Sequence, residues 1–432
     1  MSLDFHEYKL GELCNISSSK RIFAREYVDE GIPFYRGKEI IELFNNRDVS
    51  NELFITRDKY ESIKGKYGVP EEGDILLSSV GTLGIPYLVK NEKFYFKDGN
   101  LTWFKDFDSK LNNKFLYWWF QSIEAKYQIN NKCIGSTQKA LPITTLEKFE
   151  ISVPSIKTQI QIVDILESIS NKIKTNISIN KNLTSSLSLL FKNWFVDFNF
   201  LNEDNKPYKT NNGQMKNSEL GLIPNDWNIG ILGDYLRIER GLSYKGKYLS
   251  DEGIPLINLG NILPNSKFRL EKLKFYSGDY DEKYIVNVGD ILVANTDLTQ
   301  DRLVLGSPII VPSLIDNETI IYSHHINRLS NFKLPKFYIF YNLLSERYNH
   351  MVSGYATGTT VLAISKESIY NYQIIIPPKE LLLQFEEIAE NIEKIKENNI
   401  LEIEKLTKLR DTLLPKLMSG EIDVSQINCD LE

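Results

Sequence analysis

The sequence predicts an α+β chain: two structurally similar mixed α/β domains joined by two long antiparallel coiled-coil helices, related as a pseudo-twofold internal repeat. Three observations lead there. Short segments recur in the same order at offsets between 216 and 223 residues, strand and turn signals fill the first part of each copy, and an apolar heptad ladder closes each copy.

The repeat is direct. Asp29-Glu30-Gly31-Ile32-Pro33 returns as Asp251-Glu252-Gly253-Ile254-Pro255, and Leu10-Gly11-Glu12-Leu13 matches Leu232-Gly233-Asp234-Tyr235, both at an offset of 222. Gly73-Asp74-Ile75-Leu76-Leu77 returns as Gly289-Asp290-Ile291-Leu292-Val293, and the stretch 135–154 answers 358–377. One pentapeptide could be chance, but four in register imply a duplication whose small drifts are loop insertions.

The first domain is expected over residues 1–155 and the second over 227–378. Runs such as Ile75-Leu76-Leu77 and Phe149-Glu150-Ile151-Ser152-Val153, bounded by Gly, Pro and Asn, read as strands. Lys114 to Tyr127 and Lys336 to Tyr348 read as amphipathic helices, with the aromatic run Phe115 to Phe120 favouring core packing over base stacking.

A strand ending in proline at Pro154 and again at Pro377 forces the chain to restart, so spacer helices are expected over 156–200 and 379–420. Ile162, Ile169, Asn176, Leu183 and Leu190 form a seven-residue ladder, with Leu166, Ile173, Asn180, Leu187 and Trp194 four residues behind. An offset of 223 carries the first ladder onto Phe385, Ile392, Asn399, Leu406 and Leu413, the same seam with the same polar interruption. Two copies related by a pseudo-twofold axis lying across the helices pair them antiparallel. Asn176 and Asn399 then fall near the crossing, where buried asparagines set the register; the alternative leaves both in solvent. Residues 201–226 are polar and read as a linker, and 421–432 as a tail.

At 432 residues and 42% hydrophobic, the chain can fill more than one core. No apolar run reaches bilayer length and the start lacks a secretory pattern, so a cytoplasmic protein without membrane contact is expected. Cys14, Cys133 and Cys429 are too few and too scattered for a disulfide framework or a zinc knuckle. The formal charge of −6 excludes nucleic-acid binding through bulk positive charge but leaves local basic loops open.

Catalytic motifs are missing. Gly241 to Lys247 has phosphate-loop spacing, but Tyr248 stands where Ser or Thr must hold magnesium, so contact with DNA backbone is the better reading. Base methylation would need an Asn/Asp-Pro-Pro-aromatic motif, whereas Pro377-Pro378 precedes Lys379. Glu7-Tyr8-Lys9 and Asp281-Glu282-Lys283 have nuclease-like carboxylate-x-lysine spacing too loose to carry weight. His324 and His325, as neighbours on a strand, would face opposite ways and hold no metal. No enzyme is expected.

Taken together, Gly289 to Gln300, Gly358-Thr359-Thr360-Val361-Leu362, Gly135 to Lys139, and Glu219-Leu220-Gly221-Leu222-Ile223-Pro224 leading to Trp227 resemble the specificity (HsdS) subunits of Type I restriction-modification systems across almost the whole chain. The resemblance implies two target recognition domains, each reading one half of an asymmetric bipartite site in double-stranded DNA. It implies helices that act as a spacer and dock two methyltransferase subunits, and restriction/translocase subunits that join that core. S-adenosylmethionine, ATP and Mg2+ would sit on those partners and no cofactor on this chain. A helix of about 33 residues is roughly 50 Å long, enough to separate two readers by about one DNA turn or more. The alternatives are a specificity subunit of another restriction class, paired with a fused nuclease-methyltransferase, and a two-domain protein scaffold that reads no DNA.

Bases are read by Asn, Gln, Arg, Lys and Ser/Thr on groove edges, so the recurring polar loops supply the candidates. In the first domain these are Lys20, Arg21, Arg36, Lys38, Ser78, Ser79, Thr82, Ser136, Thr137 and Gln138. In the second they are Arg240, Tyr244, Lys245, Lys247, Asn258, Asn295, Thr296, Asp297, Gln300, Thr359 and Thr360. Residues 135–138 could instead form a cap or turn. Positions that differ between the copies, such as Arg36 against Asn258, are better placed to choose bases than shared ones.

Overall fold

The computed structural model describes residues 5–424 except 46, 48, 51–52, 136–137, 298–301, 316, 359–360 and the side chain of 265. The chain forms two compact units, Met1–Thr175 with Ile403–Glu432, and Asn176–Glu402. Each unit therefore holds one mixed α/β domain, the first half of its own long helix and the second half of the other copy's helix.

The two units share a plan. In the first, a four-stranded antiparallel sheet runs in the order Asn15–Ser17, Leu101–Lys105, Ile75–Ser78, Pro86–Leu88. In the second the order is Arg237–Arg240, Ile326–Ser330, Ile291–Ala294, Pro308–Ile310. Beside it lies a second sheet with one parallel pairing, Ile32–Tyr35 with Tyr95–Phe96 in one unit and Ile254–Ile257 with Ile320–Tyr322 in the other. A two-stranded ladder closes each domain, His6–Lys9 on Glu150–Val153 and Asn228–Ile231 on Gln373–Ile376.

The repeated peptides mark backbone constraints. A Cβ on Gly31 would lie 2.4 Å from the Ile55 carbonyl oxygen, and one on Gly253 would lie 2.8 Å from that of Tyr276, so each Asp-Glu-Gly-Ile-Pro turn needs glycine. In the Gly-Asp turns, Asp74 accepts from the Glu71 N–H at 2.9 Å and Asp290 from that of Asn287 at 3.0 Å. Their carboxylates then hold equivalent positions on the neighbouring strand, Trp103 Nε1 at 2.7 Å and Arg328 Nε at 3.0 Å.

Each amphipathic segment proves to be two helices. Asn113–Trp119 ends before Ser122, which caps Ile123–Lys132 by accepting from Ala125 N–H at 3.1 Å. Ser345 does the same between Lys336–Leu343 and Glu346–Tyr355, accepting from Tyr348 N–H at 3.2 Å. Phe115, Leu116, Trp118, Trp119 and Phe120 are buried in the first core, as Phe337 to Tyr341 are in the second. Burial pushes the Cys14 thiol up to about 12, which leaves it protonated and unreactive.

The long helices span Ile156–Phe195 and Lys379–Met418, 40 residues each. In the first unit Ile162 and Leu166 share a core with Leu414, Leu417 and Met418. In the second, Asn176 donates to the Glu402 carboxylate at 2.7 Å while Phe195 meets Phe385 at 5.3 Å, so the helices run antiparallel there. Of the ladder residues, Ile162, Asn176 and Phe385 are buried; Ile169, Leu183, Leu190, Ile392, Asn399, Leu406 and Leu413 are half-buried.

Residues 201–226 are not an unstructured linker. Met215–Ser218 and Gly221–Pro224 form a hairpin, and Phe200 stacks on Tyr208 at 4.8 Å and on the buried Trp227 at 5.1 Å. Three rings and aliphatic contacts anchor the segment, which its polar composition conceals. The tail is likewise packed as far as Val424, which is fully buried in the first core.

Candidate nucleic-acid interface

In each unit the second sheet passes into the four-stranded sheet through a short crossover turn, residues 97–100 in the first and 323–325 in the second. The same backbone bonds hold both. Lys97 N–H donates to Tyr35 O and Ser323 N–H to Ile257 O, each at 2.9 Å. Ser79 N–H donates to Asn100 O at 2.9 Å, and Asn295 N–H to His325 O at 3.0 Å. Asn100 and His325 are thus structural equivalents, as are Ser79 and Asn295.

Two further loops reach each turn. Leu141 N–H donates to Ser79 O and Ile364 N–H to Asn295 O, bringing in the loops closed by the Ile134–Ala140 and Thr357–Ala363 bridges. Both loops bring backbone close to a glycine: a Cβ on Gly135 would stand 2.4 Å from Gln138 O, and one on Gly358 2.2 Å from Val361 O. Basic side chains also hold each turn. Arg21 Nε pairs with Asp98 at 2.7 Å, and Arg240 Nε donates to His324 O at 3.2 Å.

The surfaces built this way differ chemically. In the first unit, Arg21, Phe23, Lys97, Asp98 and Asn100 line an open cavity of about 430 Å³, with the Phe23 ring 54% exposed beneath the Arg25 guanidinium. Basic groups around an exposed ring suit a phosphate and a base face. In the second unit the turn carries two imidazoles, their ring centroids 3.9 Å apart, with the Tyr244 ring edge-on to His324 at 6.3 Å. Lys245 and Lys247, which follow Tyr244 in the chain, are exposed.

Burial above all holds both histidines below the usual imidazole range; at His324 a bond to the Leu242 backbone opposes it and Arg240 adds to it, and at His325 His324, Arg240 and Lys274 add to it. Contrary to expectation the two rings do not alternate along a strand but sit side by side in a turn. No cluster of three or more His, Cys, Asp or Glu suited to a metal occurs among the described residues.

The family model described as "Type I restriction modification DNA specificity domain" matches residues 3–185 and again 224–410, one match to each copy. The chain belongs to this family. The MjaIX Type I specificity subunit of Methanocaldococcus jannaschii is 29% identical over 377 residues, covering 82% of this chain and 79% of that one. The HindI specificity subunit of Haemophilus influenzae is 22% identical, with 97% of this chain and 100% of that one covered. A crystal structure of a Type I S subunit from M. genitalium shares the fold, with a TM-score of 0.56 and 16% identity over 96% of both chains.

Within this Type I specificity subunit the sequence-predicted residues separate. Lys20, Arg21, Lys38, Thr82 and Gln138 are exposed in the first unit, and Arg240, Lys245 and Lys247 in the second. Tyr244 is half-buried. Others are spent internally. Ser78 Oγ accepts from Ile85 N–H at 2.8 Å, and Ser79 Oγ lies 2.8 Å from Thr102 Oγ1. Arg36 clamps the fully buried Glu39 at 2.6 Å, and Asn258 spends its amide on Asn261, Lys272 O and Gly260 N–H. Asn295 donates to His324 O and Asn327, Thr296 lies 3.1 Å from His325 Nδ1, and Asp297 accepts from Val304 and Leu305 N–H. The pair singled out for base choice, Arg36 and Asn258, is therefore structural in each unit. Ser136, Thr137, Gln300, Thr359 and Thr360 lie outside the described residues.

Sequence reading missed Asn100, His324 and His325 as surface-forming groups. Their equivalence rests on the bonds of Tyr35, Ile257, Ser79 and Asn295, all distant in sequence. The phosphate-loop spacing at 241–247 leads only into the short turn Gly246–Tyr248, with Lys247 Nζ over the Tyr248 ring at 4.7 Å, and supplies no helix N-terminus for a nucleotide.

Proposed function

We propose that the two units read the two halves of an asymmetric bipartite site in double-stranded DNA, with the long helices setting the spacing between the halves. The observation that carries this reading is the shared crossover turn and its converging loops, built on one backbone plan but carrying Lys97, Asp98 and Asn100 in one unit and His324 and His325 in the other. One scaffold with two different polar surfaces suits two unlike half-sites. Forty residues of helix extend about 60 Å, enough to span more than one DNA turn.

The chain acts as the non-catalytic recognition subunit in the cytoplasm. Two methyltransferase subunits dock on it and restriction/translocase subunits join them, so S-adenosylmethionine, ATP and Mg2+ belong to those partners. No helix among the described residues is long and apolar enough to cross a membrane. Methylome sequencing of a host carrying the complex tests the reading. A split motif is expected, and exchanging residues 1–155 for those of a relative should change one half only. A protein scaffold would leave no split protected site in footprinting of the complex, and a partner that is a single fused nuclease-methyltransferase would place the chain in another restriction class.

A further inference from the structure

The second unit holds an imidazole-bearing corner that the first unit lacks. The His324–His325 turn is rigidly supported: Arg240 Nε and Asn295 Nδ2 both donate to His324 O, at 3.2 and 3.0 Å, and Asn295 N–H donates to His325 O at 3.0 Å. Thr296 Oγ1 lies 3.1 Å from His325 Nδ1, which fixes that ring. The rings are half-exposed and pressed together at 3.9 Å.

The charged groups acting on the pair are Arg240 from the strand Arg237–Arg240 and Lys274 from the strand Lys274–Tyr276. The neighbouring Asp297 carboxylate is turned to the backbone amides of Val304 and Leu305, and the Tyr244 phenol meets His324 by its ring edge. The two imidazoles and the Arg240 guanidinium thus share one turn, Lys274 adds positive charge that acts on His325, and the acidic neighbour is engaged elsewhere. At the equivalent place the first unit carries Gly99 and Asn100, with Asp98 neutralising Arg21.

We propose that His324, His325, Arg240 and Lys274 form a phosphate-binding corner, and that docking of a DNA phosphodiester there is coupled to uptake of a proton from solvent by the histidine pair. This rests on the DNA-reading function above. A phosphate dianion or diester beside the rings favours their charged form, which the free protein disfavours. The sign follows: the histidines' pKa is low in free protein and higher in the complex, so the proton enters on binding and affinity rises as pH falls through that window. Because the first unit has no titrating counterpart at this place, the linkage belongs to the second half-site.

The test uses the complex of this chain with its methyltransferase subunits and a duplex carrying the sequence that methylome sequencing assigns to it. Each proton taken up changes affinity by at most about tenfold per pH unit, so binding should tighten by roughly three- to tenfold or more from pH 8 to pH 6. His325→Asn installs the residue the first unit carries at this position; it should flatten the pH dependence and weaken binding at pH 6 on specific and unrelated duplexes alike. Calorimetry of the wild-type complex in buffers of different ionisation heat reads the proton uptake directly and needs no variant. Binding with no proton uptake, or a His325→Asn complex that keeps the full pH dependence or alters only the methylated sequence, would overturn the proposal. Failure to bind DNA at any pH would instead overturn the DNA-reading function.

Discussion

Asn399 donates its side-chain amide to the side-chain oxygen of Asn180 at 2.8 Å, and Asn180 in turn donates to the Lys396 carbonyl at 3.0 Å. The seam asparagines do not pair with each other: Asn176 meets Glu402 at 2.7 Å, and Asn399 meets a residue from the second ladder. A polar bond that crosses the helix pair is satisfied in one axial alignment, while the leucines and isoleucines around it tolerate several.

Asn180→Leu should therefore lower stability in urea unfolding by about 1–2 kcal/mol, because the Asn399 amide loses its acceptor. The double variant Asn180→Leu/Asn399→Leu should recover most of that loss, since both polar partners leave together. A double variant whose loss equals the sum of the Asn180→Leu and Asn399→Leu losses would show that the bond contributes nothing.

Arg36→Ala removes the guanidinium that pairs with the fully buried Glu39. A buried carboxylate stripped of its partner costs about 2–4 kcal/mol, whereas Lys38→Ala, 54% exposed and 4.0 Å from Glu42, should cost less than about 0.5 kcal/mol. Thermal unfolding of the two variants compares them. Methylation by any folded Arg36→Ala complex should keep the first half-site unchanged.

Gly31→Ala should destabilise more than Gly253→Ala, because its Cβ would meet Ile55 O at 2.4 Å against 2.8 Å to Tyr276 O. With positive φ at both positions, losses of about 2 kcal/mol or more are expected at Gly31. Denaturant midpoints measure the difference.

Lys245→Ala/Lys247→Ala removes two exposed cations from the loop that follows Tyr244, whose ring meets His324. If they contact phosphate, affinity should fall for every duplex and the slope of log affinity against log salt should shrink by about 1 for each lysine, with the methylated sequence unchanged. An altered methylome would move them into base reading.

The resemblance to a restriction specificity subunit was legible in the sequence, while the individual contact residues were not. Ser79 and Asn295 looked like loop groups because strand ends and loops share a polar composition. Each is held at a strand end whose backbone locks the crossover turn. Arg36 and Asn258 differ between the copies and so looked like base readers. Both serve the local turn in their own unit, by different bonds. Variation between copies marks what is free to change, and a cap can change as freely as a contact.

Composition, repetition and periodicity are local or translational properties, so the sequence alone determined the duplication, the two long helices, their polar seam positions and the absence of familiar catalytic motifs. Which polar groups face water, where the 201–226 segment packs, and that His325 stands where the other copy has Asn100 were decided only in three dimensions. Those outcomes depend on hydrogen bonds between strands far apart in the chain, and a buried polar side chain takes whichever partner the packed backbone brings within 3 Å.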